Sequence, residues 1–135
     1  MFETEEEFAA KKENIPSILD FIVAFAREHR FPESFTNQIL IVGDELFSNI
    51  IKHGYEGSGG PIDVKLSFDE DIHEFTLVII DEAKEFNQFS VNNDNAAEKT
   101  LRIGGLGISI VKKIMSEYSY QRLNDQNILT LKKRF

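Results

Sequence analysis

The sequence predicts an α/β (α+β) two-layer sandwich, with a mixed, mostly antiparallel sheet covered on one face by three helices. Three observations lead there. Short runs that alternate apolar and polar residues stand at the start, the middle and the end of the chain, the period of a half-buried strand. Between them lie three stretches whose apolar residues recur every three or four positions, the period of an amphipathic helix. The resulting order is strand, helix, helix, hairpin, long loop, helix, hairpin, and such elements bury their apolar faces as one sheet layered against helices. At 135 residues, the chain 1–135 is expected to form one domain.

Phe2 to Lys11 opens the chain with Phe2, Thr4, Phe8 and Ala10 on one side of a period-two pattern that Glu6 interrupts, which predicts an edge strand. Asn14 is placed to cap a helix whose first turn tolerates Pro16. Ile15, Ile18, Leu19, Ile22 and Ala26 mark its buried face, ending near His29 before Phe31-Pro32 breaks it. A second helix is expected from Glu33 or Ser34 to about His53. Gly43 inside it weakens the helix by up to about 1 kcal/mol relative to Ala, and serves either close packing or closeness to a ligand.

Gly54 ends that helix, and Gly57 to Pro61 form a loop. Ile62, Val64, Leu66 and Phe68 then read as a strand with one wet face. Asp69 to Asp71 turn, and the apolar run Phe75 to Ile80 reads as a central strand covered on both faces. Residues 84–103 are polar and without period, too long for a plain connection, which suits a functional loop or lid. A third helix follows Gly104-Gly105-Leu106-Gly107, marked by Ile108, Val111, Ile114 and Met115. Tyr118 to Leu123 and Asn127 to Lys133 form the last hairpin around Asn124-Asp125.

Composition narrows the function. Hydrophobic residues make up 41% of the chain and include twelve Phe, enough to fill a core. A formal net charge of −8 argues against a nucleic-acid partner, which calls for a basic face. The absence of Cys excludes disulfides, thiolate nucleophiles and Cys-ligated zinc. His29, His53 and His73 have no zinc-site spacing. The start, MFETEEEF, is acidic where a targeting segment is basic, and no apolar run approaches the ~18 residues that span a bilayer. A cytoplasmic protein without a membrane partner is expected.

Three stretches carry chemistry. Glu45, Asn49 and His53 recur every four residues, on one polar stripe of an otherwise apolar helix. A carboxylate one turn from an amide oxygen suits a hard cation and an oriented water, although a solvated helix face would look the same. Asp81 closes the central strand, where ligands bind in layered α/β proteins, and could accept a hydrogen bond from an exocyclic amine; a turn-capping Asp is the plainer reading. Gly104-Gly105-Leu106-Gly107 opens a helix, where bare backbone N–H groups suit phosphate, though a tight turn would use the same glycines. It matches neither GxGxxG nor GxxxxGK[ST]. Lys99 and Arg102 lie just upstream, within reach of a phosphate.

The order ExxxNxxxHGY, an acid after an apolar strand, a long polar loop and GGLGI opening a helix resembles the GHKL ATPase superfamily of gyrase, sensor histidine kinases and mismatch-repair ATPases. In its short form the chain is similar to the anti-sigma-factor serine kinases of bacteria, over nearly its whole length, including IGGLGISIVKKIMSEYSY and NILTLKK. The resemblance implies a Bergerat-type ATP-binding fold. It implies that Glu45 is a general base, Asn49 a Mg²⁺ ligand and Asp81 the reader of adenine N6. It puts Gly104, Gly105, Leu106 and Gly107 at the phosphate end and residues 84–103 in a lid over ATP, with Ala83, Lys84 and Arg102 beside the nucleotide. The implied reaction transfers the γ-phosphoryl group to a serine of an anti-sigma-factor antagonist. The implied partners are that antagonist, a sigma factor and a second copy in a homodimer.

The chain departs from the pattern after Asp81. The family follows its Asp with x-Gly, whereas here the run is Asp81-Glu82-Ala83-Lys84-Glu85-Phe86. That keeps a second reading alongside the kinase, a non-catalytic nucleotide-sensing regulator of the same fold. A detached histidine-kinase domain is the third, and the length leaves no room for a dimerisation helix pair.

Overall fold

The computed structural model describes residues 1–90 and 105–135. Its elements, in order, are β1 (Phe2–Ala9), α1 (Ile15–Glu28), α2 (Glu33–Asn49), β2 (Pro61–Asp69), β3 (Glu74–Asp81), α3 (Gly105–Ile114), β4 (Glu117–Leu123) and β5 (Gln126–Arg134). The five strands form one sheet in the order β1-β2-β3-β5-β4. Every neighbouring pair is antiparallel, so the expected mixed sheet is corrected to a wholly antiparallel one. The reason lies in the connections. α1 and α2 form a helical hairpin, so β2 starts beside the end of β1, with Ala10 N–H donating to Gly60 O at 2.7 Å. α3 does return the chain parallel to β3, but β5 is inserted between β3 and β4.

Alternation decides which face is covered. Ile62, Val64, Leu66 and Phe68 of β2, Phe75, Leu77 and Ile79 of β3, and Leu129 and Leu131 of β5 are buried together with Ile18, Ile22, Ile39, Leu46, Phe47, Ile108 and Val111 of the helices. Residues of the other face, including Thr76, Val78 and Ile80 on β3, are only half-buried. β3 is therefore central, as expected, but covered on one face rather than two. Its unbroken apolar run reflects β-branched residues among strands on both sides, not a second helical layer.

Two local expectations also change. The Asn14 side chain does not cap α1; its Nδ2 donates to Ala9 O at 2.9 Å and ties the helix start to the end of β1. Gly43 serves packing, since a Cβ there would stand 3.2 Å from Leu19 Cδ2 on α1 and 3.2 Å from Phe47 Cε2. The Asn124-Asp125 turn has both residues at positive φ, 52° and 61°, the geometry a two-residue hairpin demands. At the end of the sheet farthest along β3 from Asp81, Phe135 packs with Phe31, Phe35 and Phe68, its ring stacked on Phe68 at 5.7 Å, and Phe31 and Phe35 also pack on Phe75. No helix among the described residues is long and apolar enough to cross a membrane.

Candidate functional site

The last turn of α2 carries Glu45 and Asn49. Asn49 Nδ2 donates to Glu45 Oε1 at 3.0 Å and to Gln88 Oε1 at 3.0 Å. Both N–H bonds are thereby used, while Asn49 Oδ1 is buried and has no partner among the described residues. A buried carbonyl oxygen left bare is destabilising, so this one is set to accept something. An amide oxygen next to a carboxylate is the all-oxygen donor set that Mg²⁺ takes, and the residues fit that ion.

Beyond Asn49 the helix does not run on in α form to His53, as expected, but widens into a π-turn over Ile50–Gly54, closed by Tyr55 N–H to Ile50 O at 2.8 Å. Such widenings collect at functional sites. The turn removes His53 from regular i, i+4 spacing with Asn49. Its Nε2 is buried without a hydrogen-bond partner among the described residues, and its ring meets Phe86 edge-on at 6.4 Å.

α3 approaches this turn through a glycine. A Cβ at Gly107 would fall inside the Glu45 carboxylate. The carboxylate therefore lies flat on the first turn of α3, at the positive end of its dipole. Ile108 on the same helix is buried and holds α3 in the core, while Leu106 is 63% exposed. Gly105 opens the helix. Gly104, Arg102, Lys99 and the 91–103 part of the expected lid lie outside the described residues.

Asp81 ends β3, 3% exposed. Its Oδ1 accepts from Ala83 N–H at 2.9 Å and from Asn127 Nδ2 at 2.8 Å. Burial pushes its carboxyl above the ordinary value, against the hydrogen bonds from Asn127 and Ala83 and the charge of Arg122, which pull it down. Asn127 stands directly opposite on β5. Its Nδ2 also donates to Lys84 O at 2.8 Å, and its Oδ1 accepts from Tyr120 Oη at 2.6 Å, Phe86 N–H at 3.2 Å and Arg122 Nη1 at 3.2 Å. One amide thus fixes both the acid and the loop behind it.

Ala83 is buried, and a Cβ at Gly54 would stand 3.2 Å from its methyl. The extra methyl fills the space between the loop and the π-turn. Lys84 turns outward, its Nζ on Glu56 Oε1 at 2.7 Å, with both side chains more than half exposed. Tyr55 fastens the same corner, its hydroxyl donating to Pro61 O at 2.6 Å and accepting from Glu82 N–H at 2.7 Å; burial raises its pKa. A Cβ at Gly60 would strike the Tyr55 ring.

The three stretches meet through these contacts. Glu45 lies on Gly107, Asn49 reaches Gln88 beyond β3, and Gly54-Tyr55 holds Glu82-Ala83 next to Asp81. Sequence reasoning missed Gln88, Tyr55 and Asn127. Gln88 lay in a run of polar residues without period, and Asn127 gains its meaning only from strand register. Tyr55 had the clearer trace, standing in the stretch that the resemblance itself quoted.

The site thus sits on a helical layer over an antiparallel sheet, with an acid at the end of the central strand and a Glu–Asn turn against a glycine helix start. The family model of the histidine kinase-like ATPase domain matches residues 8–133, and the chain belongs to that family. No curated protein matches it. Among solved structures, the RsbU and RsbW domains of Rv1364c from Mycobacterium tuberculosis share the fold at a TM-score of 0.71 and 15% identity, over 99% of this chain and 32% of that one. The chain therefore spans about a third of that protein's solved length. The SiaB-SiaC complex from Pseudomonas aeruginosa matches at a TM-score of 0.63 and 16% identity, over 96% of this chain and 89% of that one.

Proposed function

We propose that the chain binds ATP with Mg²⁺ and transfers its γ-phosphoryl group to a serine of an anti-sigma-factor antagonist, regulating transcription by partner sequestration. The observation that carries this is Asn49: its Nδ2 is saturated, its Oδ1 is buried and bare, and Glu45 stands beside it on the first turn of α3. Family membership supports nucleotide as the ligand, and the likeness to a protein solved as a complex with its partner supports a protein substrate.

In this reading Asp81 accepts from adenine N6, and Asn127 holds its carboxylate for that purpose. Backbone N–H groups at the start of α3 face the phosphates, aided by the helix dipole. Glu45 takes the proton of the serine hydroxyl as that oxygen bonds to the γ-phosphorus and the bond to the β–γ bridging oxygen breaks, releasing ADP. Mg²⁺ held by Asn49 Oδ1 would neutralise phosphate charge. A second copy, a sigma factor and the antagonist are the partners of this reading, with the cytoplasm as its compartment.

Titration of Mg-ATP into the protein and into Asn49→Ala tests the site. Saturable binding that loses its Mg²⁺ dependence in Asn49→Ala is expected. Glu45→Gln should keep nucleotide binding and lose phosphotransfer; a fully active Glu45→Gln would remove the assigned base. A non-catalytic regulator is the second reading, favoured by Lys84, whose ammonium is spent on Glu56 rather than offered to phosphate. No binding at millimolar Mg-ATP would favour it over the kinase.

A further inference from the structure

We propose that Gln88 is a positioning residue for the metal end of the site: it forces the Asn49 carboxamide to present its oxygen, not its nitrogen, to the cation. This deepens the ATP–Mg²⁺ reading and rests on it. Gln88 stands in a single 3-10 turn, Gln88–Ser90, after β3. It is 1% exposed, although its side chain is wholly polar at the tip. Burying such a group is favourable only if each of its atoms is matched.

The orientation follows by elimination from a backbone anchor. Gln88 Nε2 lies 3.1 Å from Leu46 O. A backbone carbonyl only accepts, so the nitrogen of Gln88 must face it. Its Oε1 must then face Asn49, 3.0 Å away. An acceptor there requires a donor opposite, so Asn49 turns Nδ2 toward Gln88. The Glu45 carboxylate oxygen, also an acceptor and 3.0 Å from Nδ2, makes the same demand from the other side. Flipping either amide would set oxygen against oxygen at one contact or more. The only buried side-chain atom of the network left without a partner among the described residues is Asn49 Oδ1.

Glu45 and Gln88 thus divide the work. Glu45 is needed in the reaction and cannot be a constant clamp, because its carboxylate also meets the serine. Gln88 spends both of its polar atoms on Asn49 and the Leu46 carbonyl and can hold Asn49 throughout. Supporting residues of this kind, removed, weaken metal affinity about 10–100-fold.

The test is Gln88→Met, which keeps volume and deletes both polar atoms. Two quantities are read: the Mg²⁺ concentration that half-saturates ATP binding, and ADP affinity in EDTA. Expected is a rise in the half-saturating Mg²⁺ of about ten-fold or more, with metal-free ADP affinity little changed. Equal loss with and without metal would overturn the proposal, because it would mean a merely structural Gln88. A nucleotide-free readout runs in parallel: the side-chain amide protons of Asn49, followed by ¹⁵N NMR. They should exchange slowly in the wild type and faster in Gln88→Met; unchanged exchange would also overturn it. If the wild type binds no nucleotide, the ATP reading falls, and the amide exchange alone still decides whether Gln88 orients Asn49. Should Gln88→Met fail to fold, Gln88→Leu, which also removes the acceptor facing Asn49 Nδ2, serves the same comparison, and unchanged Mg²⁺ dependence in it would refute the proposal.

Discussion

Replacing Asn127 with Ala withdraws one amide from six hydrogen-bonding groups at once. Asp81 Oδ1 keeps the Ala83 N–H, and Arg122 keeps Ala83 O at 2.8 Å. Two groups lose their recorded partner, the Lys84 carbonyl and the Tyr120 O–H, while the Phe86 N–H keeps its hydrogen bond to the Tyr120 hydroxyl. At about 1–3 kcal/mol for each buried group left unsatisfied, and with water able to serve Tyr120 at the half-buried rim, the sum is about 3 kcal/mol. An unfolding entropy of about 2.1 cal/mol/K per residue over 135 residues turns this into a fall in Tm of about 10 °C, read by circular dichroism. Asn127→Asp sharpens the test, because it places a second carboxyl where 2.8 Å now separates amide nitrogen from Asp81 Oδ1. That variant should be unstable at neutral pH and recover in acid, as one carboxyl takes the proton the pair then shares. A fall below about 3 °C in Asn127→Ala would refute the reasoning, for it would mean that no group was left buried and unmatched.

Gly107→Ala should cost less than about 1 kcal/mol in urea denaturation, because its methyl meets only the far end of the flexible Glu45 side chain and Ala favours a helix over Gly. A loss well above that, recovered in the double variant with Glu45→Ala, would show instead that the carboxylate is fixed in place. On the open face of the sheet, Asp63 has its pKa pushed up to about 6 by burial and by the hydrogen bond and charge of Glu5, with Glu7 adding and Lys65 opposing. Between its ordinary 3.8 and about 6 the folded chain holds a proton that the unfolded chain has lost, so this group's contribution to stability falls as pH rises through that window. Asp63→Asn should therefore raise Tm more at pH 7.5 than at pH 4, and a gain independent of pH would count against the shift. Phe135→Ala should lower stability by about 1–2 kcal/mol through its stack on Phe68 and edge contacts with Phe35 and His73, and an unchanged urea midpoint would show that the ring is dispensable.

Sequence by itself determined the number, type and order of the elements among the described residues, and the Glu45–Asn49 pair. Those depend on local period and on i, i+4 spacing, which the chain carries within a few residues of each position. It also pointed to the end of β3 and to the glycines before α3, because residue type there has direct conformational meaning. Tertiary structure alone decided the rest. The all-antiparallel sheet followed from which strand was inserted between which, and a parallel connection in sequence became a non-neighbour in space. The single covered face of β3 followed from where the helices lie, which an apolar run does not encode. The π-turn over Ile50–Gly54 broke the four-residue rhythm that had grouped His53 with Asn49. Asn127 and Gln88 became partners of Asp81 and Asn49 across sequence separations of 46 and 39. Hydrogen bonds are short and directional, so their pairing depends on ångström-scale register between distant segments, whereas apolar burial repeats periodically along each element and leaves its mark in the sequence.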